Sequence, residues 1–250
     1  MENIIDKPSS PIESNKETEQ GIFWNELLSI EKNIERRLGV NGQSSKEETD
    51  LDIPITNRDM EEIRREHNLS KEDFLQMEGK RILDLGMGHS SFGSELKKTI
   101  KCEFFSLDRK KLLDIYPIPR ELFKDSNLVV GDMNNIPFAN NSMDVIFATY
   151  SFPYWALSPE PVKKFFEEVL RVIRVGGTIY ISPIFGSYTN PDPLRHTITN
   201  NIELLDLETI RALKKIKETG VGQVELKEEY NAISDNKKRI PHSVSIKKLK

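Results

Sequence analysis

Asp84, Gly86, Gly88, Asp108 and Asp132 are the residues whose types and spacing could do chemistry. Gly86 and Gly88 stand one residue apart at the end of the apolar run Arg81-Ile82-Leu83-Asp84-Leu85, and Phe92, Leu96 and Ile100 recur four apart beyond them. That order reads as strand, tight turn and helix, the opening unit of a doubly wound sheet. Glycines in the turn allow a sharp bend and a close approach of backbone to ligand, where a Cβ would collide. N–H groups at the helix start face the same ligand. A pyrophosphate site of the G-x-G-x-x-G kind would need a third glycine at Ser91, and the next glycine is Gly93. Such a site also gains nothing from Asp84, two residues ahead of Gly86, whereas a cationic ligand does. Asp108 follows Gly88 by twenty residues, the spacing at which a carboxylate can accept both hydroxyls of a ribose.

Those residues need a scaffold that brings strand ends together, and the chain supplies alternating strand and helix signals. Strands are expected at Arg81 to Leu85, Glu103 to Leu107, Leu128 to Gly131, Asp144 to Thr149 and Thr178 to Ser182. A helix between the last two carries Val162, Phe165, Phe166, Val169, Leu170 and Ile173 on one face, opened by Ser158-Pro159 and closed by Gly176-Gly177. Leu207 to Lys217 reads as a further helix with Asp206 as its cap, and Val221 to Glu228 with Ser243 to Lys248 as a terminal pair of strands. The expected fold is α/β: a doubly wound, mainly parallel seven-stranded sheet with a terminal antiparallel hairpin and an N-terminal helical extension.

Ahead of the first strand, residues 1–20 are polar with Pro8 and Pro11, and are expected to form a disordered tail. Residues 21–78 form the helical extension. There Ile22, Phe23, Leu27, Ile30, Ile34 and Leu38 keep helical spacing up to Gly39, Thr56 or Asn57 can cap a later helix, and Ser70 with Asp73 has the form of a second cap. Residues 79–250 are the expected sheet domain.

Arg81-Ile82-Leu83-Asp84-Leu85-Gly86-Met87-Gly88 resembles the first motif of the class I S-adenosylmethionine-dependent methyltransferases. Gly131 to Asp144, with Pro137-Phe138 and Asn141-Ser142-Met143, is similar to the matching stretch of small members. So is Phe166 to Gly177, with Val175 where the family has proline. The resemblance covers about Lys80 to Ser182. It implies S-adenosylmethionine as cofactor, whose sulfonium and α-ammonium suit an acid beside the glycine turn. It implies a cofactor site of Asp84, Gly86, Met87, Gly88, Asp108, Arg109, Asp132, Met133 and Thr149, in which Asp132 accepts from the adenine amine and Met133 packs on the base. Tyr150, Tyr154 and Trp155, after the fourth strand, become candidates for the acceptor wall. Ser90 stands where many members have a third glycine and can cap the helix. Methyl transfer needs a base only for a protonated acceptor. Tyr188, Arg195 and His196 lie in the loop after the fifth strand, and none is assigned that role.

Composition bounds the rest. The chain has 250 residues, 37% hydrophobic and 30% charged, room for one sizeable domain and an extension. A net charge of −4 gives no global attraction to nucleic acid or an acidic membrane. One cysteine, Cys102, precludes an internal disulfide, and no Cys/His cluster has metal spacing, so no metal is expected. No apolar run is long enough to span a bilayer and no signal-peptide core is present, so a cytoplasmic protein is expected. The expected acceptor is a small molecule. RNA or protein as acceptor, or a silent cofactor-binding module, are the alternatives. Lys237-Lys238-Arg239 and Lys247-Lys248-Lys250 could touch RNA phosphates but are expected to keep sheet edges soluble.

Overall fold

A computed structural model describes residues 12–41, 58–88, 90–109, 127–152, 159–184, 199–228 and 241–250. The chain begins with α1 (Ile12–Asn41), α2 (Met60–Glu66) and α3 (Lys71–Leu75). It continues β1 (Arg81–Leu85), α4 (Phe92–Thr99), β2 (Glu103–Asp108), β3 (Asn127–Val130) and β4 (Met143–Thr149). The last elements are α5 (Pro159–Val172), β5 (Ile173–Ser182), α6 (Thr199–Thr219), β6 (Gly222–Glu228) and β7 (Pro241–Lys248).

The seven strands form one sheet in the order β3-β2-β1-β4-β5-β7-β6. β1 pairs in parallel with both β2 and β4, so the strand order reverses direction at β1/β4, where an open sheet of this type leaves its crevice. β6 and β7 form the expected terminal antiparallel hairpin, with β7 also running antiparallel to β5, so that β6 is the edge strand. Alternation along β1 and β4 divides the core. Leu83, Leu85, Ile146 and Ala148 join the cluster with Val162, Phe165, Ile210 and Leu213 from α5 and α6. Ile82, Val145 and Phe147 join the one with Ile63, Phe74, Phe92 and Leu96 from α2, α3 and α4. By the same alternation Asp84 shares the α2/α4 side with Ile82.

Several boundaries differ from the sequence reading. α1 begins at Ile12, inside the stretch expected to be a tail, and runs past Gly39 to Asn41. Residues 58–77 hold two short helices, the first capped by Asp59, whose carboxylate accepts from Glu62 N at 2.7 Å. Thr56 and Asn57 lie outside the described residues. Ser70 and Asp73 do form the reciprocal cap. Gly176-Gly177 lies inside β5 and does not close α5; β5 begins at Ile173, directly after α5. Asp206 lies inside α6, fully buried, and is not its cap.

Lys248 is a larger correction. Expected at a soluble edge, it is 9% exposed, and its Nζ donates to Asn141 Oδ1 (2.7 Å) and to the carbonyls of Leu170 (2.8 Å) and Ile173 (3.0 Å). It satisfies backbone oxygens left over where α5 gives way to β5, and burial pushes its ammonium below the ordinary lysine range. Lys247 is exposed, and 237–239 fall outside the described residues.

Candidate active site

The apolar residues of β1 force the strand into the middle of the sheet, and that carries Asp84 into the interior with them. Asp84 is 1% exposed, and neither carboxylate oxygen has a hydrogen-bond partner among the described residues. Burial raises its pKa from 3.8 to about 6; the Arg58 guanidinium opposes the shift and the Asp108 carboxylate adds to it.

The turn after β1 takes its shape from glycine. Gly86 has φ +67° and Gly88 φ +52°, a region where side chains are strained. At Gly86 a Cβ would stand 2.4 Å from the Ser151 Cβ. The sequence reading gave that Cβ a ligand to collide with; the collision is with the chain itself, because β1 and β4 end side by side. Gly88 N donates to Asp108 Oδ2 at 2.9 Å and Arg109 N to Asp108 Oδ1 at 2.7 Å. Asp108, also buried, therefore ties the end of β2 to the glycine turn. Ser90 Oγ accepts from Phe92 N at 3.2 Å at the start of α4, as a short polar residue there can.

Not all the expected site residues converge. Met87 is buried beside the turn, and Thr149 is fully buried at the end of β4. Met133 packs in the larger core cluster. Asp132 lies at the surface, its Oδ1 accepting from Asn134 N at 2.9 Å and 3.8 Å from Arg109 Nη2. Tyr150 stands just beyond β4 at φ +51°, and its hydroxyl donates to Glu66 Oε1 at 2.6 Å. Tyr154, Trp155, Tyr188, Arg195 and His196 lie outside the described residues.

Sequence reasoning missed the polar groups that α2 and its flanks bring to this crevice. Arg58 is 1% exposed, its Nη1 donating to the Thr149 carbonyl and its Nη2 to the Gly86 carbonyl. His67, equally buried, has Nε2 2.8 Å from Thr149 Oγ1, and its ring lies 5.5 Å from that of Phe147. Glu66 also accepts from Ser182 Oγ at 3.0 Å. Thr149 lies 91 residues from Arg58 and 82 from His67, so no local pattern marks the contacts.

A buried carboxylate, a left-handed glycine turn and an acid at the next strand end thus meet at the carboxyl ends of β1 and β2, where an open sheet of this type leaves its crevice. Residues 83–181 match the methyltransferase domain family. The chain carries a class I S-adenosylmethionine-dependent methyltransferase domain. That family uses S-adenosylmethionine as methyl donor. The domain is 27% identical over 152 residues to sterol 24-C-methyltransferase of Schizosaccharomyces pombe, covering 55% of this chain and 39% of that one. It is 28% identical over 162 residues to the phthiotriol/phenolphthiotriol dimycocerosates methyltransferase of Mycobacterium leprae, covering 62% and 56%. A solved SAM-dependent methyltransferase from Methanosarcina mazei shares 16% identity at a TM-score of 0.48, covering 72% of this chain and 97% of that one. The match thus spans less than two thirds of each of the two curated relatives.

Proposed function

We propose that this chain moves the methyl group of S-adenosylmethionine to a small-molecule acceptor at the carboxyl ends of β1 and β4. The observation that carries the reading is the Asp84 carboxylate, buried with both oxygens unpartnered among the described residues. A buried anion in that state is costly, and a cation arriving with the ligand would offset the cost. When bound, the cofactor supplies an electrophilic methyl on a sulfonium that leaves as a neutral thioether.

The residues of the chain align and shield. Asp84 faces the cationic methionyl part. Asp108 keeps lone pairs beyond those used by Gly88 N and Arg109 N, and these accept ribose hydroxyls. Asp132 and Met133 receive the adenine. Tyr150, steadied by Glu66, lines the acceptor side. Leaving-group assistance is unnecessary, so the rate comes from in-line positioning and the exclusion of water. A small acceptor is supported by relatives named for a sterol and for phthiotriol dimycocerosates, and by the burial of Lys248, which removes one charge from the basic end. Residues 79–250 form the domain, and 58–77 complete its site.

Calorimetry with S-adenosylmethionine tests the cofactor side. Wild-type protein is expected to bind in the micromolar range and Asp108→Asn at least about tenfold more weakly. Absence of wild-type binding would overturn the reading. Labelled cofactor offered to metabolite, RNA and protein fractions of a cell extract then identifies the acceptor class, and label confined to RNA or protein would reject the small molecule.

A further inference from the structure

The receptor for a cation at the ends of β1 and β4 already holds one. The Arg58 guanidinium spans the two strand-end carbonyls, Gly86 and Thr149, that flank the crevice beside Asp84. We propose that Arg58 is a resident stand-in for the ammonium of the cofactor, which must displace it from the Gly86 and Thr149 carbonyls, so that Arg58 sets the affinity for ligands bearing that ammonium. The inference rests on the cofactor orientation proposed above. With the ribose at Asp108, on β2, the amino-acid end of the ligand extends back across β1 toward β4. The acceptors waiting there for a positive charge are these two carbonyls and Asp84.

The contacts of Arg58 suit a temporary occupant. Its side chain makes no hydrogen bond to Asp84, and among the described residues the Asp84 oxygens stay unpartnered and its buried Nε has no acceptor. A guanidinium built in for structure alone would normally be met by a carboxylate fork. The backbone at Arg58, by contrast, is held firmly. Its carbonyl accepts from Ser91 N at 2.8 Å and from Ser90 Oγ at 3.0 Å, which anchors the residue to the start of α4. Asp59 then caps α2. The anchored main chain lets the side chain leave and return without the strap moving. A compact ammonium has three donors, enough for both carbonyls with one left over, whereas the planar fork of Arg58 makes no hydrogen bond to Asp84. The arriving ammonium restores beside Asp84 the positive charge that the guanidinium carries away when it leaves.

The test compares two ligands. S-adenosylhomocysteine carries the ammonium; 5′-methylthioadenosine has the same nucleoside and thioether but lacks the amino-acid tail. Arg58→Met keeps the length and removes the donors. If the carbonyl pair is open in about a tenth of wild-type molecules, the variant binds S-adenosylhomocysteine about tenfold more tightly. Its affinity for 5′-methylthioadenosine stays the same. Weaker binding of S-adenosylhomocysteine by Arg58→Met, with the thioadenosine unchanged, would overturn the proposal, because Arg58 would then be contributing to binding. Equal affinity in both proteins would overturn it too. Should Arg58→Met not fold, a wild-type crystal structure with S-adenosylhomocysteine decides: the guanidinium off both carbonyls supports the proposal, and the guanidinium still on both rejects it. Failure of the cofactor reading itself looks different, since Asp108→Asn would then leave both ligands unaffected.

Discussion

The two halves of the N-terminal extension differ in what they bury. α1 buries Phe23, Trp24, Leu27, Ile30 and Ile34 against the α6 and β6 side of the sheet. Its polar contacts there are Glu31 and Glu35, which accept from Lys214 and Arg211 of α6, and the Gln20 side chain, which donates to the Leu226 carbonyl at 2.8 Å and accepts from Leu226 N at 3.0 Å, acting as one more pairing on the free edge of β6. The segment 58–77 also buries apolar groups, Ile63, Phe74 and Met77, but adds Arg58 and His67 at the crevice. One half is fastened by apolar area far from the site. The other sets charged and polar groups at the crevice, hydrogen-bonded to the ends of β1 and β4. A helical extension can thus be structural at one end and part of the proposed binding site at the other, and exposure alone does not tell the two apart.

The contrast can be broken most forcefully at Leu27, fully buried on α1. Leu27→Ala is expected to cost about 2–5 kcal/mol in chemical denaturation. The affinity of the folded protein for S-adenosylhomocysteine should not change. A parallel loss of affinity would mean that α1 reaches the site after all.

Asp84→Asn should do the reverse. The Asp84 pKa is raised in the folded protein, so its carboxylate favours folding when protonated and opposes it when ionised. The cost is absent below about pH 4, grows as pH rises through 6, and reaches roughly 3 kcal/mol above that. The amide should therefore stabilise the ligand-free protein by about 1–3 kcal/mol at pH 8, a gain that vanishes near pH 4, while weakening cofactor binding. Thermal melts across pH check the first half and calorimetry the second. A destabilised Asp84→Asn at pH 8 would show that Asp84 serves the fold and not a ligand.

Gln20→Ala is the smallest perturbation, about 0.5–1.5 kcal/mol, because water can reach the freed edge of β6. It should leave ligand affinity untouched. Faster amide exchange confined to β6 would sharpen the assignment of α1 to edge protection.

The sheet was legible because its strands are apolar runs that end in recognisable turn residues, and β1 to β4 lie within one residue of their expected places. The β5 start was not, because Gly176-Gly177 reads locally as a helix stop while pairing with β4 and β7 extends the strand through it. Lys248 looked like an edge lysine because its partners, at 141, 170 and 173, come from distant parts of the chain.

From the sequence alone came the order of strands and helices, the glycine turn, and acids at the ends of β1 and β2, since these depend on hydrophobic period and turn chemistry within a few residues. The tertiary structure alone decided that Gly86 is glycine for the sake of Ser151, that Asp84 is without hydrogen-bond partners, and that Arg58 lies across the carbonyls beside it. Those facts depend on the solvent each group loses and the neighbour it meets. Both are set by packing between segments far apart in the chain.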